Sequence, residues 1–188
     1  YTNSLNTDDV YIQSSVDLTA NLTVNNFEVN DTATLSISSG GSLIVSGTST
    51  GNVTYNRNLA TTNWYLVSSP LAGETYDDAY VTANSIASAG SNNNRGIAPY
   101  TTSDDTWDYM QSGETATFAA GNGYSVKRSA TGDISFTGTL NTADVSAGTL
   151  STAGNRFNLL GNPYTSHINS ATFLANETAV SETQTLWV

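Results

Sequence analysis

The sequence predicts an all-β protein: an antiparallel, internally repeated β-sandwich preceded by a short β-solenoid-like segment. Three observations carry that expectation. Short apolar runs alternate with polar residues at period two. Clusters of Gly, Asn and Ser punctuate them at regular intervals. An aromatic-led phrase closed by proline is written twice, about ninety residues apart, as Trp64-Tyr65-Leu66-Val67-Ser68-Ser69-Pro70-Leu71 and Phe157-Asn158-Leu159-Leu160-Gly161-Asn162-Pro163-Tyr164.

The first elements lie between Asp9 and Asn56. Apolar positions Val10/Ile12, Leu18, Leu22/Val24, Phe27/Val29, Leu35/Ile37, Leu43/Val45 and Val53/Tyr55 recur roughly every eight to ten residues, separated by Asn-Asn, Asn-Asp and Ser-Gly-Gly turn signals. Stacked short strands of this kind suit a β-solenoid or a meander, and Thr and Ser at the polar positions favour a pleated backbone. Residues 1–56 are expected to form this lead-in, and residues 57–188 the sandwich.

Beyond Arg57 the texture changes, because most of the aromatics gather there. Candidate strands are Trp64 to Ser68, Gly96 to Thr101, Thr106 to Met110, Gly123 to Arg128, Asp133 to Thr137, Arg156 to Leu160 and Thr185 to Val188. After each proline a stretch of helical spacing follows, around Tyr76, Tyr80 and Val81 and around Ile168, Ala171 and Phe173, long enough for one or two turns. The repeat is expected to span about residues 57–110 and 145–188.

Composition excludes several function classes. With 5 Lys+Arg against 16 Asp+Glu the net charge is -11, which repels nucleic acid and anionic membrane surfaces. Ser, Thr and Asn supply roughly two-fifths of the chain, a hydroxyl- and amide-rich surface that suits secreted β-proteins. There is no cysteine, hence no disulfide framework, thiolate nucleophile or Cys-ligated zinc. No apolar run approaches the length of about twenty residues that a membrane-spanning helix needs. Tyr1 opens without a signal-like n-region, and Leu186-Trp187-Val188 stops within an expected strand, so a piece of a larger protein is the expectation.

The Thr/Ser-rich run from Gly40 to Arg57, the phrase Trp64-Tyr65-Leu66-Val67-Ser68-Ser69-Pro70 and the element Leu160-Gly161-Asn162-Pro163-Tyr164 together resemble a β-rich module of very large secreted or surface proteins of Bacteroidetes. Those proteins resemble cargo of the type IX secretion pathway, and the module tends to precede their C-terminal sorting domain. The resemblance implies an extracellular or cell-surface location and neighbouring domains on the same polypeptide. It carries no activity across.

Catalysis is not expected. His167 is the only histidine, no Gly-x-Ser-x-Gly elbow occurs, and the acidic groups Asp77/Asp78, Asp104/Asp105/Asp108 and Glu114 read as solvated turns. No organic cofactor is implied. Calcium is the candidate cation: Asp104, Asp105 and Asp108, with Asn92-Asn93-Asn94 upstream, offer the oxygen ligands that a hard cation takes, without the spacing of an EF-hand loop.

The aromatics carry the rest of the functional reading. Sugar rings stack their C–H faces on exposed indole and phenol planes, while amides, carboxylates and guanidinium groups bond the hydroxyls. Arg95, Tyr100, Trp107, Asp108 and Tyr109 form one candidate ligand-binding group; Asn162, Tyr164 and His167 form a second. Trp64, at the head of a strand, reads as inter-sheet core. Two functional readings follow. One is a non-catalytic module that binds a polysaccharide or surface glycan, or mediates adhesion. The other is a passive stalk or spacer beside a sorting domain. An unpaired edge at Leu186-Trp187-Val188 adds polymerisation as a third.

Overall fold

The structure, a computed structural model, describes residues 7–90 and 93–176. Its N-terminal part is a parallel coil with three faces. Strands β1 (Val10–Ile12), β2 (Val16–Leu18) and β3 (Asn21–Val24) make the first turn, and β4 (Phe27–Val29), β5 (Leu35–Ile37) and β6 (Ser42–Val45) the second; β7 (Ser49–Thr50) and β8 (Val53–Leu59) begin a third. Each strand lies in parallel register on its counterpart, with Val10 on Phe27, Phe27 on Ser49, Val16 on Leu35, Leu35 on Val53 and Asn21 on Ser42. The period-two pattern produces this directly: Val24, Phe27, Val29, Leu35, Ile37, Leu43, Val45 and Val53 point inward and are buried. Each large side chain so buried stabilises the coil by about 1.5–3 kcal/mol.

One corner of the coil is held by a ladder of side chains. Asp9 Oδ1 accepts the backbone N–H of Asn26 at 3.2 Å, and one turn on Asn26 Oδ1 accepts the N–H of Thr48 at 2.9 Å. The Asn-rich turns thereby satisfy backbone donors that a stacked corner leaves unpaired. Gly51, at φ +90°, lets the chain pass Val29, where a Cβ would stand 2.6 Å from the Val29 carbonyl oxygen.

Strand β8 belongs to both halves of the molecule. One edge continues the coil on β5, and the other pairs antiparallel with the long β16 (Gly132–Leu140), Gly132 opposite Leu59 through Gly138 opposite Val53. Strand β10 (Leu71–Ala72) closes that sheet, giving the order β10-β16-β8-β5-β2. The division expected between residues 56 and 57 falls inside β8, and the larger sheet is mixed rather than purely antiparallel, because β8 keeps the coil's parallel register.

A second sheet is antiparallel: β13 (Thr106–Trp107), β12 (Ile97–Thr101), β15 (Tyr124–Lys127) and β9 (Trp64–Val67), in that order. Between the sheets Phe118, 1% exposed, meets Tyr76, Tyr124, Phe136 and Tyr80 at ring-centroid distances of 4.7, 4.9, 5.2 and 5.4 Å. These rings come from β11 (Thr75–Tyr76, paired with β14, Ala116–Thr117), β15, β16 and helix α1 (Asp78–Ala83). Burial pushes the Tyr76 phenol up to about 12. Helix α1 starts at Asp77, whose carboxylate accepts the N–H of Tyr80 at 2.8 Å. Just past its end the buried Asn84 accepts from Ser135 N of β16.

The two proline phrases take different structures. The first is strand β9 followed by α1; the second ends in helix α2 (Ser170–Asn176), but residues 156–160 form no strand beyond an isolated bridge from Leu160 to Asn122. Arg156 sits at φ +64°, and the Asn158 amide bonds Ser151 N, Ser151 O and Arg156 O, so local side-chain bonds displace the ladder expected there. The phrases still touch. Ser68 donates to the Asn162 carbonyl at 3.0 Å, across a contact where a Cβ on Gly161 would lie 2.4 Å from the Ser68 Cβ. The strand expected at Thr185 to Val188 lies outside the described residues. The class is all-β, with two short helices among the described residues.

Candidate functional site

The outer face of the four-stranded sheet is built by alternation. Antiparallel register sets Trp64 opposite Lys127 and Leu66 opposite Ser125, while Tyr65, Val67, Tyr124 and Val126 take the opposite face. Tyr124, Val126 and Val67 are buried, so Trp64 and Leu66 emerge on the open side at 47% and 55% exposure. Trp107 joins them from β13, opposite Tyr100 of β12. An open groove of about 320 Å³ runs between Trp64, Leu66, Trp107, Tyr109 and Ser125, with Tyr65 at its wall.

Ring contacts set the geometry of this groove. Tyr109 meets Trp64 edge-on at 5.7 Å, Tyr100 leans on Trp107 at 5.1 Å, and the Lys127 ammonium stands 5.8 Å from the Trp64 ring centre. The Tyr100 hydroxyl donates to Asp105 at 2.9 Å, which pushes its phenol up from the ordinary tyrosine value. The same carboxylate accepts the Asn155 N–H at 3.0 and 3.1 Å. Asp105, at φ +54° in the tight turn between β12 and β13, thus fixes the tyrosine that supports Trp107. Trp107, 38% exposed, keeps a free flank toward solvent.

Of the first predicted group, Tyr100, Trp107 and Tyr109 come together here, and Asp108 is exposed beside them in the chain. Arg95 is placed elsewhere: its Nε pairs with Asp78 at 3.2 Å and its Nη1 donates to Asn93 O. That guanidinium ties the loop before β12 to the start of α1. Asp78 is held below the usual carboxylate range by the Gly113 N–H, with Ser112 and Arg95 adding to the effect.

Two members of the second predicted group are held by hydrogen bonds within the protein. Asn162 accepts from Tyr164 N and donates to Ser166 O, and the Tyr164 hydroxyl donates to Ala143 O while accepting from Val145 N. His167 is exposed next to them. Asp104, Asp105 and Asp108 do not converge: among the described residues no three His, Cys, Asp or Glu side chains gather as a metal site. Asn92 lies outside the described residues. Among those residues, too, no helix is long and apolar enough to cross a membrane.

The reading of Trp64 as core is corrected by the structure. Both faces of β9 are apolar, so the run Trp64-Tyr65-Leu66-Val67 by itself does not say which alternate pair is inside. The neighbouring strand holds the signal: in Tyr124-Ser125-Val126-Lys127 the polar pair is plain, and antiparallel pairing transfers that outward assignment to Leu66 and Trp64. Lys127 and Ser125 were missed for the same reason, since their relevance depends on which strand lies beside them.

No curated protein and no solved structure matches this chain. The profile of a family described as "Domain of unknown function (DUF8693)" matches residues 3–188, and with nearly its whole length covered the chain belongs to that family.

Proposed function

We propose that this chain is a non-catalytic glycan-binding module of a larger secreted or cell-surface protein, with the Trp64–Trp107–Tyr109 groove as its ligand site. The observation that carries the reading is the shared exposure of two indoles on one side of one rigid sheet. Leaving each unburied forgoes on the order of 1–3 kcal/mol of apolar burial, and apolar surface gathered into a groove marks a contact site. Rings anchored by neighbouring rings are preorganised, so stacking a pyranose on them costs little side-chain entropy. The hydroxyl- and amide-rich surface supports the extracellular setting.

Intrinsic tryptophan fluorescence, titrated with a panel of soluble polysaccharides and paired with pull-downs on insoluble ones, tests this reading. Two of the three tryptophans line the groove, so a ligand there shifts a large share of the signal. Trp64→Ala and Trp107→Ala are each expected to weaken binding about tenfold or more while moving the thermal midpoint little. Running the series with calcium and with chelator checks whether the acidic turn at Asp104, Asp105 and Asp108 takes part.

A stalk or spacer is the second reading, favoured by one observation: β8 runs without a linker from the parallel coil into the rest of the molecule. A rigid joint of that kind holds neighbours at fixed separation. A flat response over the whole panel, with both tryptophan variants folded, leaves this reading in front.

A further inference from the structure

The residues lining the groove are uncharged, and the charge that stands against its Trp64 ring is positive. Lys127 lies opposite Trp64 on the adjacent strand, with its ammonium 5.8 Å from the indole centre, and none of the groove's lining residues is acidic. Among the described residues the single ion pair is Arg95 with Asp78, and no carboxylate of those residues stands within ion-pair distance of Lys127. In a chain with only 5 Lys+Arg and a net charge of -11, Lys127 is set apart from the other cations by its place beside an exposed indole at the groove. Elsewhere, Arg128 is buried and donates to Asn84 O, and Arg95 is held at α1.

We infer that the groove selects a glycan carrying an isolated acidic substituent next to a neutral ring, the ring stacking on Trp64 or Trp107 and the anionic group meeting the Lys127 ammonium. The inference rests on the glycan-binding reading and narrows its ligand class. Charge complementarity supplies the reason. The partly buried Lys127 at the groove rewards one carboxylate or sulfate oxygen pair with a charge-assisted hydrogen bond. The surrounding negative field works against a chain charged at every residue. A dense polyanion is therefore excluded by the same protein that attracts a single anionic group.

The test uses cellohexaose and mannohexaose, each also prepared with one terminal C6 oxidised to the uronate and with one terminal 6-O-sulfate, and polygalacturonate as the fully charged comparison. Binding to the intact chain is followed by tryptophan fluorescence at low and at 0.5 M salt. The expected result is a preference of about three- to tenfold for a singly charged form over its neutral parent, lost at high salt and lost in Lys127→Gln, with polygalacturonate weakest. The uronate and sulfate arms decide which anion is read. Equal binding of neutral and charged forms, or a preference that survives in Lys127→Gln, overturns the inference while the glycan-binding reading stands. No binding of any probe by a folded chain overturns the inference, and the wider panel then decides that reading. Trp107→Ala separates the two further, because it is expected to weaken neutral and charged forms alike.

Discussion

Asp105 shows how a residue placed in an acidic turn can serve geometry rather than a cation. Its carboxylate holds the Tyr100 hydroxyl and the Asn155 N–H together, and both lose their acceptor in Asp105→Ala. Both bonds are solvent-exposed, so that variant is expected to lower the thermal midpoint only modestly, with Asp105→Asn lowering it less because asparagine tolerates the positive φ and keeps an acceptor. In either variant the Tyr100 phenol is expected to ionise at lower pH in an ultraviolet titration, since the carboxylate that raised it is gone. Asp78 gives a second prediction. Its folded-state value is depressed below the ordinary 3.8, so the stability it contributes is present above about pH 4 and is lost as the pH falls through the folded value. Asp78→Asn is expected to be less stable than the parent at neutral pH, with the difference closing below about pH 4. A gap that stays constant down to pH 2 would sink this account.

At the scale of elements, the open edge of β6 needs an explanation, and the second proline phrase provides it. Strands β3 and β6 form a two-stranded sheet, which leaves the backbone of Leu43 facing away from β3. Thr165 fills that edge: its hydroxyl accepts the Leu43 N–H at 2.9 Å and donates to the Leu43 carbonyl at 2.8 Å, in a buried setting. One side chain thereby does for Leu43 what a further strand would do, and blunts an edge on which another chain could pair. Thr165→Val keeps the shape and removes both bonds. It is expected to cost about 1–3 kcal/mol in a denaturant melt and to raise aggregation on heating, with Thr165→Ser restoring most of the loss.

For the whole molecule, β8 and the aromatic cluster make the coil and the antiparallel sheet one cooperative unit. The coil contributes β2 and β5 to the sheet that β16 completes, and Phe136 of β16 packs on Phe118, so neither half unfolds without exposing the other. Near-ultraviolet and far-ultraviolet circular dichroism are therefore expected to report coincident transitions. Phe118→Ala is expected to lower that shared midpoint by removing about 3–5 kcal/mol. Two separated transitions, with the coil melting independently, would show that the shared strand does not couple them.

The sequence by itself determined the all-β class, the inward positions of the coil and the helical turns after each proline. Those features are written in local periods and turn residues, which act over a few positions and need no distant partner. It also placed Tyr100, Trp107 and Tyr109 in one neighbourhood, because they lie within ten residues of one another. What it left open depended on partners far along the chain. The outward face of Trp64 was settled by Lys127 and Ser125 across a strand pair, and Arg95 was drawn from the expected site by Asp78. Asn162 and Tyr164 were taken up by contacts with Ser68, Ala143 and Val145. Both halves of β8 alternate in the same way, so only the tertiary structure decided that one strand pairs parallel with β5 of the coil and antiparallel with β16 at once. An apolar strand with two usable faces is ambiguous until its neighbours bury one of them, and here that choice built the groove.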